Sequence, residues 1–142
     1  MHESEAKTGL SLLPEPISIQ QARMKNPLAL AFVGDTVWDL LTRQRLLTSQ
    51  AQVNTLHKQA VRHVNAGAQA EAASRMEPHL TEQERAVFQR GCNAHARHNT
   101  PKNQDPYAYS RATGLEAVFG YLYLMGEGQR IAELFDIADP MV

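Results

Sequence analysis

Residues 28–41, LALAFVGDTVWDLL, constrain the fold more than any other stretch of this chain. Wound at the helical period they are apolar around nearly the whole circumference, which predicts a central helix with neighbours on every side. Asp35 stands in the middle with Gly34 beside it. Leu28, Ala31, Asp35, Asp39 and Thr42 share one stripe, flanked by Phe32 and Trp38. A carboxylate in such company is costly unless something positive meets it. A structural acid would pair with an arginine or cap a neighbouring helix, and a functional acid would meet a cation. The stretch alone leaves both readings open.

Residues 112–124, ATGLEAVFGYLYL, repeat the design with one acid, Glu116. Glu116 shares its stripe with Ala112, Thr113 and Gly120, small residues that let another backbone come close. Two such helices predict a crossing at which Asp35 and Glu116 converge. Neither acid has a lysine or arginine within its own helical turn. A hard divalent cation, which takes oxygen ligands and neutralises paired acids, is their natural partner.

No run alternates with period two anywhere, so the expected fold class is all-α, a compact helical bundle. The 142 residues, 43% hydrophobic and 20% charged, suit one domain around a single core. The expected division is a tail over residues 1–16, polar and broken by Pro14 and Pro16, followed by one domain over 17–142. No apolar run is long enough to span a bilayer, and no leader peptide is legible at the start, so no membrane partner is expected. The lone cysteine, Cys92, excludes an intramolecular disulfide and reads as a small buried hydrophobe. A net charge of −1 argues against indiscriminate nucleic-acid binding, so any such contact must come from a local patch.

In chain order, Ser18 caps a short helix over 19–24, and Pro27 opens the helix of Asp35, which runs to about Leu47. A helix starting at Asn54 or Thr55 carries Lys58 and Arg62 on one face, is interrupted at Gly67, and continues through alanine-rich turns to Arg75. Thr81 to Glu84 forms a capping box for a helix reaching about Ala94. His98 to Pro106 is a loop, and a last helix spans about 129–137.

Several segments carry a family resemblance. Residues 31–37 (AFVGDTV) resemble the signature helix of the ribonuclease III catalytic domain, and 115–124 (LEAVFGYLYL) its second acidic motif. Between them 56–58 (LHK), 62–66 (RHVNA), 90–94 (RGCNA) and 100–103 (TPKN) are similar to the short bacterial branch called Mini-ribonuclease III. The likeness covers about Leu28 to Phe135, and the order and spacing of its motifs make it specific. Two-domain members have a further Glu four residues before the motif Asp and an Asp three residues before the second Glu. This chain has Ala31 and Thr113 there, as the short branch does, which leaves the number of metals open.

The resemblance implies an endoribonuclease that cuts double-stranded RNA with Mg²⁺, or Mn²⁺ as a substitute. It implies 5′-phosphate and 3′-hydroxyl ends, and a cytoplasmic homodimer with two sites along one RNA-binding valley. The implied substrate is precursor 23S ribosomal RNA near its paired ends. A chain this short has no room for the separate RNA-binding domain of longer relatives. Asp35 and Glu116 are then the catalytic and metal-holding residues, with Asp39 in support. The basic cluster of Arg85, Arg90, His95, Arg97, His98 and Lys102 leads into the helix of Glu116. From it Arg90, Asn93, Arg97 and Lys102, with Lys58, are the expected substrate contacts. His57 and His63 read as surface or hydrogen-bonding groups. Phe32, Val33, Val37 and Trp38 are the expected twofold interface, with Gly34 allowing the close approach. The competing reading is a non-catalytic module of the same fold that binds structured RNA or a ribosomal partner.

Overall fold

The structure is a computed structural model that describes residues 15–47, 52–94 and 105–140. These residues form α1 (Ile19–Arg23), α2 (Pro27–Leu46), α3 (Val53–Val64), α4 (Ala66–Met76), α5 (Glu82–Ala94), α6 (Pro106–Leu124) and α7 (Gly128–Ala138), with a 3-10 turn over Glu77–His79. There is no strand among them, so the chain is all-α.

Local chemistry fixes most of the boundaries. Ser18 and Gln21 exchange hydrogen bonds as a capping box on α1, and Thr81 and Glu84 do the same on α5. The Asn26 side chain accepts from the Leu28 N–H ahead of α2, and Pro27 takes the first helical position. The expected break at Gly67 falls instead at Asn65. Its backbone is extended, and its side-chain oxygen accepts from the Ala68 N–H at 2.8 Å, so it ends α3 and caps α4. Gly67 lies inside α4. Likewise α6 begins at Pro106, capped by Asp105, well before the apolar stretch that advertised it. Of the expected loop, residues 98–104 lie outside the described residues, as does most of the expected tail, and Pro106, expected as the loop's end, is the first residue of α6.

The core is organised by α6, which packs against α2, α5 and α4, with α7 closing one end. From Ala112 to Leu122 every residue of α6 except Glu116 is buried. Trp38 of α2 meets Phe119 and Phe135 edge to face, with centroids 5.2 and 5.0 Å apart, and its indole N–H donates to the His63 carbonyl. Burial of such aromatics contributes about 2–3 kcal/mol each.

The crossing of α2 over α6 is backbone against backbone. A Cβ on Gly34 would stand 1.7 Å from the Glu116 carbonyl oxygen, and one on Gly120 would stand 1.9 Å from that of Leu30. Only glycine fits at either position. The expectation that Gly120 serves a close approach is met. Gly34 is used inside the subunit, where it had been expected at a twofold interface.

In contrast, α2 is not covered all round. Its partners α6, α3 and α5 take one side, which leaves Phe32 80% exposed and Leu40, Asp35 and Thr36 open. Val37 and Trp38 are core residues and Val33 packs at the edge of the core, so only Phe32 of the expected interface set is a fully open surface residue.

Candidate active site

Asp35 and Glu116 project from the α2–α6 crossing. Because Gly34 lies on the backbone of Glu116, the next residue of α2 delivers its carboxyl to the Glu116 side chain, within hydrogen-bonding reach. Glu116 is half-buried and Asp35 exposed. The expectation that both acids are buried therefore holds only in part: the open side of α2 leaves Asp35 facing solvent. Among the ion pairs between described residues, none involves either acid.

Burial, then the hydrogen bond and negative charge of Asp35, push the Glu116 carboxyl up to about 9. A neighbouring amide, that of Gln69 on α4, opposes the shift. At neutral pH the pair therefore holds a proton when nothing positive is present. This is the electrostatics of a site suited to a cation: two oxygen donors forced together, with burial first and the Asp35 side chain second disfavouring the charge on Glu116.

The positions where longer relatives place further acids carry none. Ala31 is buried, and the Thr113 hydroxyl donates to the Tyr109 carbonyl at 3.0 Å, turned back along its own helix. No group of three or more His, Cys, Asp or Glu side chains converges among the described residues. A cation here would take two carboxylates from the protein and complete its shell with water, a habit of Mg²⁺. The residues present fit such an ion.

Asp39, one turn after Asp35, accepts from Arg43 Nε at 3.1 Å on the surface of α2. Lys58 is exposed on α3 and Asn93 on α5. Arg90 donates to the Arg23 and Lys25 carbonyls at 2.7 and 3.0 Å, so its guanidinium ties α5 to the α1–α2 junction. Arg97 and Lys102 lie outside the described residues, as do His95 and His98. His63 meets Asp139 at 2.9 Å, in line with a hydrogen-bonding role. Cys92 packs at the edge of the core, its thiol pushed up by burial.

Sequence reasoning read Glu84 only as half of a capping box and passed over Gln69. Glu84 is buried in a two-armed pair with Arg130, both oxygens at 2.9 Å. Burial pushes its carboxyl up, but hydrogen bonds from Arg130 and Thr81 hold it below its ordinary value overall. That pair locks α7 to α5. Gln69 is 2% exposed beside Glu116, and its one legible signal was a long amide among alanines.

The chain is similar to known proteins over most of its length. The family model described as the ribonuclease III domain matches residues 28–127, and so spans both acidic helices. A Symbiobacterium thermophilum protein named Mini-ribonuclease 3 is 45% identical over 79% of this chain and 86% of its own length. One of the same name from Thermosynechococcus vestitus is 40% identical over 89% of this chain and 82% of its own. A crystal structure of a Fusobacterium nucleatum protein superposes with a TM-score of 0.74 at 30% identity, covering 81% of this chain and 92% of that one. The chain belongs to the ribonuclease III domain family, whose members act on double-stranded RNA, and it is an endoribonuclease.

Proposed function

We propose that this protein cuts double-stranded RNA with Mg²⁺, or Mn²⁺ as a substitute, held by Asp35 and Glu116. The observation that carries the reading is the forced meeting of the two carboxyls at the glycine crossing, with Glu116 neutral in the absence of a cation. Bound there, the ion supplies neutralisation of charge at the scissile phosphate and activation of the attacking water.

The chain's own residues do the rest. The α2–α6 crossing fixes the distance between the acids, and the exposure of Asp35 opens the pair to a substrate as large as a duplex. Side chains cannot read bases in the deep groove of A-form RNA, so contacts go to phosphates and 2′-hydroxyls. Lys58 and Asn93, with Arg97 and Lys102 from the connection between α5 and α6, supply them. Arg90, with two carbonyls already on its guanidinium, is the weakest member of that set. Asp39, paired with Arg43, supports the acid face without holding the ion.

A homodimer formed through the face of Phe32 sets two such sites on the two strands of one duplex, whose local twofold symmetry matches its own. Products end in 5′-phosphate and 3′-hydroxyl. The natural substrate is precursor 23S ribosomal RNA at its paired ends, and the compartment is the cytoplasm.

The test is incubation with a perfectly paired RNA in Mg²⁺, in Mn²⁺ and in EDTA. Cleavage in both metals that stops in EDTA supports the reading. Cleavage that survives EDTA removes the metal, and intact duplex in all three removes the substrate.

A further inference from the structure

Gln69 lies on α4, in the wall behind Glu116. Its side chain is 2% exposed, and its carboxamide reaches toward the Glu116 carboxyl, whose charged form it favours. Yet its Nε2 is sealed from solvent and makes no hydrogen bond of good geometry. A buried donor left this way costs about 1–3 kcal/mol, so buried amides are normally satisfied. Neighbouring positions of α4 are Ala68, Ala70, Ala72 and Ala73, and its buried face is otherwise apolar. The cost has a natural origin if the amide acts in another state of the site.

We propose that Gln69 is a positioning residue for the metal-loaded site: its Nε2 donates to one oxygen of the Glu116 carboxylate and turns the other toward the cation. The inference rests on the proposed metal site at Asp35 and Glu116. It assigns Gln69 the part that outer partners of metal ligands usually play, which is to fix orientation and raise the basicity of the ligand.

The experiment compares the full chain with Gln69→Met, which keeps length and loses both polar atoms. Mn²⁺ affinity is read by calorimetric titration, and the melting temperature is read in EDTA and in Mn²⁺. The expected result is Mn²⁺ affinity about 10–100-fold weaker in Gln69→Met. Its melting temperature in EDTA should be equal to or above that of the wild type, because an unsatisfied donor has gone, and its rise on adding Mn²⁺ should be smaller. A purely structural glutamine predicts the opposite: lower melting in both conditions with unchanged Mn²⁺ affinity, and that result overturns the inference. Should Gln69→Met not fold, the wild type alone decides. On titration with Mg²⁺ one Nε2 proton of Gln69 must shift downfield and exchange more slowly, and unmoved side-chain signals overturn the proposal. If Mn²⁺ binds wild type and Gln69→Met equally, Gln69 fails and the site stands. If Mn²⁺ does not bind the wild type, both fail.

Discussion

Replacing Gly34 by alanine tests the crossing on which everything else depends. The added Cβ would stand 1.7 Å from the Glu116 carbonyl oxygen, 2.6 Å from its carbon and 2.8 Å from the Gly120 nitrogen. All three are backbone atoms in the middle of a long helix, so none can swing aside. Restoring ordinary contact requires the helices to part by about 1.5 Å, and a gap of even 0.5–1 Å already forfeits a quarter to a half of each contact's attraction. Overpacking normally costs about 1–3 kcal/mol where side chains yield, and a backbone clash belongs above that range, at about 4–5 kcal/mol. Alanine returns about 1 kcal/mol through its better helix propensity. The net loss is about 3–4 kcal/mol, or roughly 10–15 °C in melting temperature for a domain of this size. The same parting pulls Asp35 from Glu116, so cleavage should fall further than the loss of folded protein explains. Thermal unfolding followed by circular dichroism is the assay, with Gly67→Ala as the control. There the new Cβ meets nothing nearer than Asn65 Oδ1 at 3.4 Å, and stability should rise by about 0.5 kcal/mol. A Gly34→Ala protein melting within about 3 °C of wild type would refute the backbone-on-backbone crossing.

Further expectations concern charge and assembly. In EDTA, stability should fall as pH rises from about 5 to 9, because the folded Glu116 holds its proton up to about 9 and the unfolded one releases it near 4.5. The loss is on the order of a few kcal/mol, and added Mg²⁺ should flatten the profile seen in denaturant melts. Arg130→Met should cost about 3–5 kcal/mol by stranding the buried Glu84 carboxylate, and the deficit should shrink as acid protonates it. Phe32→Lys should give a species near 15.8 kDa in sedimentation where wild type runs at about twice that mass. A wild type that sediments only as a monomer denies the dimer. Lys102→Ala should weaken duplex binding and make the log-affinity slope against log salt shallower by about one unit or a little less, whereas an unchanged slope takes Lys102 out of the interface.

The two acidic helices were legible because their signal is local. An isolated carboxylate in an apolar helix, with small residues on its stripe, states that another backbone comes close and that a charge must be met. What misled was the assumption that an all-round apolar helix is covered all round. By periodicity alone α2 and α6 look alike, yet α6 is enclosed by α2, α4 and α5 while α2 has a free side. Coverage is a property of the assembled bundle, not of one helix. Gly34 shows the same limit, since its need for a close neighbour was readable and the identity of that neighbour was not. The Asn65 break was hidden because Gly67 sits two residues away and is the louder breaker by composition. Gln69 and the Glu84–Arg130 pair join residues far apart in sequence, and no spacing rule connects them.

The central claim is that Asp35 and Glu116 form one site whose work is chemical and whose cost is electrostatic. Asp35→Asn and Glu116→Gln remove charge at almost constant volume, so duplex-RNA cleavage in Mg²⁺ should be measured for both beside melting in EDTA. Loss of an ion-holding carboxylate should lower cleavage by a thousandfold or more, about 4 kcal/mol in the barrier. Because burial and the neighbouring Asp35 already disfavour the charged form of Glu116, neither change removes a stabilising ion pair, and melting in EDTA should stay equal to or above wild type. Cleavage near the wild-type rate by either variant, with the fold intact, would contradict the account.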